Sequence, residues 1–220
     1  MPDSWPEPRS ELLATVREMH RQGLVAGSSG NASVRLPAAG ERYLVTPSGV
    51  TYDGMTEADL MEVDGELEPV DSDGIPSTES QLHLAIYRAR PDVSAVVHTH
   101  SLYASAAAVA ARPVPPVIDE MVFYIGGAVE VAEYGFPGSE ELARSAVAAL
   151  GDRRAVLLRN HGMCAAGPDC REALRVAVLV ERSAQIYLMA ELAGGAARLP
   201  KDAVAAERAA YLMRAGLRPD

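Results

Sequence analysis

Three of the five histidines fall in two short motifs. His98-Thr99-His100 closes the β-branched run Val93–His98. Side chains alternate across a strand, so the two imidazoles project to one face. That pairing suits a divalent cation unless it is an accident of a strand end. His161 stands in Asn160-His161-Gly162, after the strand-like Arg154–Leu158, where the glycine permits a sharp turn. Strand exits of one sheet can be brought together, and three histidines are the usual protein set of an open zinc site that keeps a position for water or substrate. Glu79 belongs to the first turn of a helix that follows Pro76-Ser77-Thr78. A carboxylate there either complements the helix dipole or joins the imidazoles. His83, one turn on and on the same face, is a further imidazole near the metal or a hydrogen-bonded core residue. His20 is read as structural or exposed.

Three loops share another chemistry. Ser28-Ser29-Gly30-Asn31, Thr46-Pro47-Ser48-Gly49 and Pro76-Ser77-Thr78-Glu79 are small and hydroxylated, with no lysine or arginine. Each alone is an ordinary turn. Beside a metal site, the set suggests a neutral cradle for a phosphorylated small molecule, because amides and hydroxyls at a helix N-terminus bind phosphate without a countercharge.

The elements that must position these residues follow from apolar periodicity. Residues 1–8 read as a disordered tail and 9–220 as one domain. Helices are expected at Arg9–Gln22, from a Ser77 or Thr78 cap to Arg90, at Ser101–Ala111, Gly138–Leu150, Asp169–Leu192 and Ala203–Arg214. Strands are expected at Ala32–Leu36, Arg42–Thr46, Val93–His98, Ala128–Ala132 and Arg154–Leu158, with Leu60–Val63 and Glu66–Val70 flanking an Asp64-Gly65 hairpin turn. Alternating helices and short strands make a mixed α/β domain with a partly antiparallel sheet.

The chain has 220 residues, 48% hydrophobic and 23% charged, ordinary for a globular domain with a sizeable core. A net charge of −10 argues against nucleic acid or an anionic membrane as partner. The longest purely apolar run, Ala106–Ala111, is far short of the roughly 20 residues that span a bilayer. The first residues carry no signal-peptide pattern. Cys164 and Cys170 match no zinc motif and are too few for a disulfide scaffold. A cytoplasmic protein is expected.

Gly30-Asn31-Ala32-Ser33, Thr46-Pro47-Ser48-Gly49, Pro76-Ser77-Thr78-Glu79, His98-Thr99-His100 and Asn160-His161-Gly162, in this order, resemble the class II aldolase/adducin family, of the L-fuculose-phosphate aldolase type. The resemblance runs from about residue 9 to 193. It implies an α/β/α fold with a central, mostly antiparallel sheet and a homotetramer with active sites at subunit interfaces. It implies a metal, Zn2+ or Mn2+, on His98, His100 and His161, with Glu79 as fourth ligand and catalytic base. It assigns the substrate phosphate to Asn31, Ser48, Gly49, Ser77 and Thr78.

One segment departs from the aldolase pattern. The family's aldolases place a tyrosine from the adjacent subunit before a methionine, and here that stretch reads Val117-Ile118-Asp119-Glu120-Met121. Glu120 is similar to the acid/base of the related methylthioribulose-1-phosphate dehydratases, and Tyr124 lies nearby as a substitute for the tyrosine. The expected activity is retro-aldol cleavage of a phosphorylated ketose through a metal-stabilised enediolate. Dehydration or decarboxylation on the same fold is the alternative. A hydrolytic zinc enzyme and a non-catalytic adducin-like interaction module compete with these; the complete metal set argues against the module.

Overall fold

The computed structural model describes residues 5–36, 40–70 and 73–217. In chain order the elements are α1 (Pro6–Arg21), β1 (Asn31–Arg35), β2 (Arg42–Val45), β3 (Met61–Asp64), α2 (Ser80–Ala89), β4 (Ala95–Thr99), α3 (Leu102–Val109), β5 (Glu130–Ala132), α4 (Glu140–Leu150), β6 (Ala155–Leu158), β7 (Gly162–Gly167), α5 (Cys170–Leu192) and α6 (Lys201–Ala215). The strands form one sheet in the order β3-β2-β1-β4-β7-β6-β5. Every pairing is antiparallel except β5 with β6, which α4 connects as a crossover.

Strand alternation sorts the side chains between two cores. Ala95 and Val97 of β4 join Leu157 of β6 and Ala165 of β7 under α1, α3 and α5. Val96, Val156, Cys164 and Ala166 face the other way, under α2 and α4. The result is the α/β/α sandwich expected from the sequence. His98 shares the parity of Val96 and so turns toward α2. In the centre of the sheet His98 stands opposite Asn31 of β1 on one side and Cys164 of β7 on the other.

Several expectations need correction. The first helix begins at Pro6, so residues 6–8 belong to it rather than to a tail. Proline lacks only an N–H that the first turn cannot use, and its φ is already helical. Residues 1–4 lie outside the described residues. Of Glu66–Val70, only Pro69 bridges to Val63, because Leu67 adopts φ 66 and breaks the extended run. α2 starts at Ser80 with Glu79 in the capping place, not Ser77 or Thr78. β7 and a π-helical turn at Met121–Ile125 were not expected. β7 is Gly-Met-Cys-Ala-Ala-Gly, without a single β-branched residue. Its small side chains suit a central strand, completely buried between two neighbours.

Candidate active site

Each site residue sits where an element ends at the same edge of the sheet. His98 and His100 leave the end of β4, His161 occupies the β6–β7 turn, and Glu79 stands at the start of α2. Glycine makes these close approaches possible. A Cβ on Gly162 would collide with the Thr99 carbonyl and lie 3.0 Å from His100 Cδ2. One on Gly30 would lie 2.6 Å from the His98 carbonyl oxygen, and Gly30 also has φ +73. Asn160 takes φ 56, a left-handed conformation that asparagine tolerates, and so turns the chain ahead of His161.

The three imidazoles form a triangle with ring centroids 4.8, 4.8 and 4.9 Å apart. Glu79 Oε2 closes it, 3.2 Å from His98 Nε2 and 3.4 Å from His161 Nε2. One donor atom from each of the four residues falls within a 4.8 Å cluster, so the group could hold a metal ion. Glu79 makes no capping hydrogen bond to its own helix, which removes the reading as a helix cap alone.

Protonation fits the same role. His98 Nδ1 is 2.9 Å from the Met163 carbonyl, which can only accept, so the ring proton sits there and Nε2 presents its lone pair to the cluster. Burial first, then His98 and His161 beside it, push the His100 imidazole down to about 4. Its ring is neutral at pH 7. Burial alone would raise the Glu79 carboxyl, but the imidazoles of His161 and His98 outweigh it and hold the group well below the usual carboxylate range. Nε2 of His98 and Nε2 of His100 lie 2.9 Å apart, and Glu79 Oε2, also buried, lies within 3.4 Å of two of the rings. So many nitrogen and oxygen ligand atoms converging on one point suit a cation. A nitrogen and oxygen donor set of this kind fits a divalent metal.

The three hydroxylated loops meet beside this cluster. Asn31 Nδ2 donates to Ser77 Oγ at 2.7 Å, and Asn31 Oδ1 has no partner although buried. The Ser48 N–H is spent on the Ile75 carbonyl (2.9 Å) and the Ser77 N–H on the Thr46 carbonyl (3.2 Å), while the Ser77 hydroxyl oxygen accepts from Asn31 and, at 3.4 Å, from the Glu79 N–H, so that its own proton remains to donate. Among the described residues, the N–H groups of Gly49 and Thr78 have no partner.

Other candidates lie elsewhere. His83 is buried, its Nδ1 2.7 Å from Ser33 Oγ, so it takes the hydrogen-bonded core role. Burial, with His98 as the next cause, pushes its imidazole down to about 3. His20 is exposed, and both cysteines are buried free thiols. Glu120 is exposed; with Tyr124 it lines a cleft of about 490 Å³ along α1 and α5, apart from the histidine cluster. The Tyr124 ring packs between two guanidinium groups, Arg175 at 5.2 Å and Arg214 at 4.8 Å. The Met163 carbonyl that orients His98 was missed, because only the β4–β7 register brings it there.

Comparison with known proteins agrees with this geometry. Residues 10–188 match the model of the class II aldolase and adducin N-terminal domain. The chain is 35% identical to an L-fuculose phosphate aldolase of Escherichia coli over 81% of each chain. It is 37% identical to a 5-methylthioribulose-1-phosphate/5-deoxyribulose-1-phosphate aldolase of Rhodospirillum rubrum, over 85% of this chain and 83% of that one. A solved L-fuculose 1-phosphate aldolase superposes with a TM-score of 0.89 at 32% identity, covering 94% of this chain and 96% of the other. The chain thus belongs to the class II aldolase and adducin family, and it is an enzyme of the carbon–carbon lyase type.

Proposed function

We propose that this enzyme is a divalent-metal-dependent aldolase that cleaves a phosphorylated ketose into an aldehyde and dihydroxyacetone phosphate. The observation that carries the reading is the convergence of Glu79, His98, His100 and His161 beside neutral loops with unpartnered polar groups. The relatives support the substrate class, being aldolases named for fuculose, deoxyribulose and methylthioribulose phosphates.

A divalent metal, Zn2+ or Mn2+, would be held by His98, His100 and His161, with Glu79 as fourth ligand. When bound, it would supply Lewis acidity to a carbonyl and the hydroxyl beside it. The Ser48 and Ser77 hydroxyls, the Gly49 and Thr78 amides and the second N–H of Asn31 Nδ2 hold the substrate phosphate. Cleavage needs a base to take the proton from the hydroxyl on the departing carbon, which leaves as the aldehyde. The electron pair of the broken bond remains on the carbon next to the carbonyl, and Glu79, protonated from solvent when substrate enters, delivers that proton there. The cluster holds no second group to receive the hydroxyl proton. We assign that part to Glu120 or Tyr124 of an adjacent copy in a homotetramer, in keeping with their place in an outward-facing cleft. The reducing cytoplasm suits two buried free thiols.

The test is mass analysis of products after the metal-loaded protein meets a panel of phosphorylated ketoses. Paired aldehyde and dihydroxyacetone phosphate are expected. Loss of one water, or of carbon dioxide, from an intact carbon chain would replace this reading with dehydration or decarboxylation.

A further inference from the structure

Arg154 immediately precedes β6, whereas His161 follows it, so the two mark opposite ends of a strand about 13 Å long. At the Arg154 end lies a cavity of about 190 Å³ lined by Arg154, Arg171, Arg214, Tyr124 and the single carboxylate Glu172. Its charge is not balanced from within. Arg90 grips both oxygens of Asp92, Nε to Oδ1 at 2.8 Å and Nη2 to Oδ2 at 2.7 Å. Arg154 Nη2 shares that same Oδ2 at 3.4 Å, while Arg154 Nη1 is buried and, among the described residues, without a hydrogen-bond partner. Two guanidinium groups, 8% and 6% exposed, thus divide one carboxylate and, among the described residues, leave a buried positive charge uncompensated. Such a charge is costly unless an anion meets it.

The mouth of the cavity adds to the imbalance. Arg214 reaches Glu172 at 3.0 Å, but Glu172 also pairs with Arg175 at 3.1 Å. Arg171 has no ion pair among the described residues. The adjoining start of α5 is already capped by the Asp169 carboxylate, which accepts from the Glu172 N–H at 2.7 Å, so the attraction comes from guanidinium groups and not from helix amides.

We propose that this cavity is a second anion site, distinct from the loops around Ser48 and Ser77, and that it takes a small dianion of the phosphate class. Guanidinium forks from three separate elements match a tetrahedral anion with several acceptor oxygens. The volume lies below the roughly 300 Å³ at which pockets begin to hold drug-sized molecules, so it admits inorganic phosphate or the phosphoryl end of a small ester. Tyr124, whose ring Arg214 covers, lines the same cavity, so a bound anion would fix the segment that carries Glu120.

Calorimetric titration of the full chain with inorganic phosphate tests the site. In a Ser77→Asp variant, which sets a carboxylate in the loop cradle, one phosphate per chain should still bind. Adding Arg171→Ala and Arg214→Ala should weaken that remaining site tenfold or more. No phosphate bound by the Ser77→Asp protein, or affinity unmoved by the arginine changes, would overturn the proposal. If the cradle itself is misassigned, Ser77→Asp will not lower the phosphate count while the arginine changes still will, so the two readings fail separately. A measurement on the unaltered chain guards against misfolding: phosphate should slow phenylglyoxal labelling of Arg171 at least threefold, and equal labelling with and without it would also refute the site. Titration with glycerol 3-phosphate then assigns the source, since matching affinity identifies the phosphoryl group and binding of inorganic phosphate alone identifies the free anion.

Discussion

Gly162→Ala puts the site's construction to a direct test. The added methyl would run into the Thr99 carbonyl and sit 3.0 Å from His100 Cδ2. The first obstacle is backbone, so no rotamer change relieves it, and the end of the β4–β7 pairing, where Thr99 faces Met163, must spread. Overpacking of this kind costs about 1–3 kcal/mol. In a domain of this size that corresponds to a fall in Tm of roughly 2–12 °C. His161 is the preceding residue and His100 the neighbour pushed aside, so both move relative to His98. Displacements near an ångström in a catalytic group cost on the order of 10² in rate. The assay is a thermal melt paired with turnover, with Gly54→Ala as the comparison. Gly54 has ordinary φ, and the nearest atom to its Cβ is 4.0 Å away, so alanine there should leave both readings unchanged. A Gly162→Ala protein with the parent's Tm and turnover would refute the claim that this glycine seats the histidine turn.

Other outcomes follow from the same geometry. Glu79→Gln keeps the shape but cannot carry a proton, so turnover should drop about 10²–10⁴ while phosphate-ester binding persists; near-normal turnover would relegate Glu79 to scaffolding. His161→Ala opens the imidazole triangle and should empty the purified protein of the metal that the parent carries, as elemental analysis would show; full metal content would exclude His161 as a ligand. The pH dependence of stability concerns His83. Its imidazole, near 6.5 when unfolded, is pushed down to about 3 by burial, so folding leaves it unprotonated. Its contribution is therefore complete above about pH 6.5 and lost as pH falls below that. At pH 5 the loss should be on the order of 2 kcal/mol, visible in urea midpoints. His83→Leu should flatten the slope between pH 7 and 5, and an unchanged slope would assign it to other groups.

The residue types of the site were legible because they are chemically distinctive: a histidine pair at strand spacing, a third histidine beside glycine, a glutamate after a hydroxylated turn. Periodicity likewise disclosed the helices and most strands, since amphipathic faces must be buried. β7 escaped, because Gly162–Gly167 is a strand through its two neighbours and not through its own propensity. The place of Glu79 was open in the sequence between capping and joining the imidazoles; tertiary packing turns its carboxylate toward His98 and His161. Tertiary pairing also supplied the Met163 carbonyl that orients His98, and the sharing of one Asp92 carboxylate by Arg90 and Arg154. The division has a physical reason. Local sequence sets what each side chain can do and which face of its element is apolar. Which backbone carbonyl lies behind a ring, and which charge is left over, depends on strand register and long-range packing.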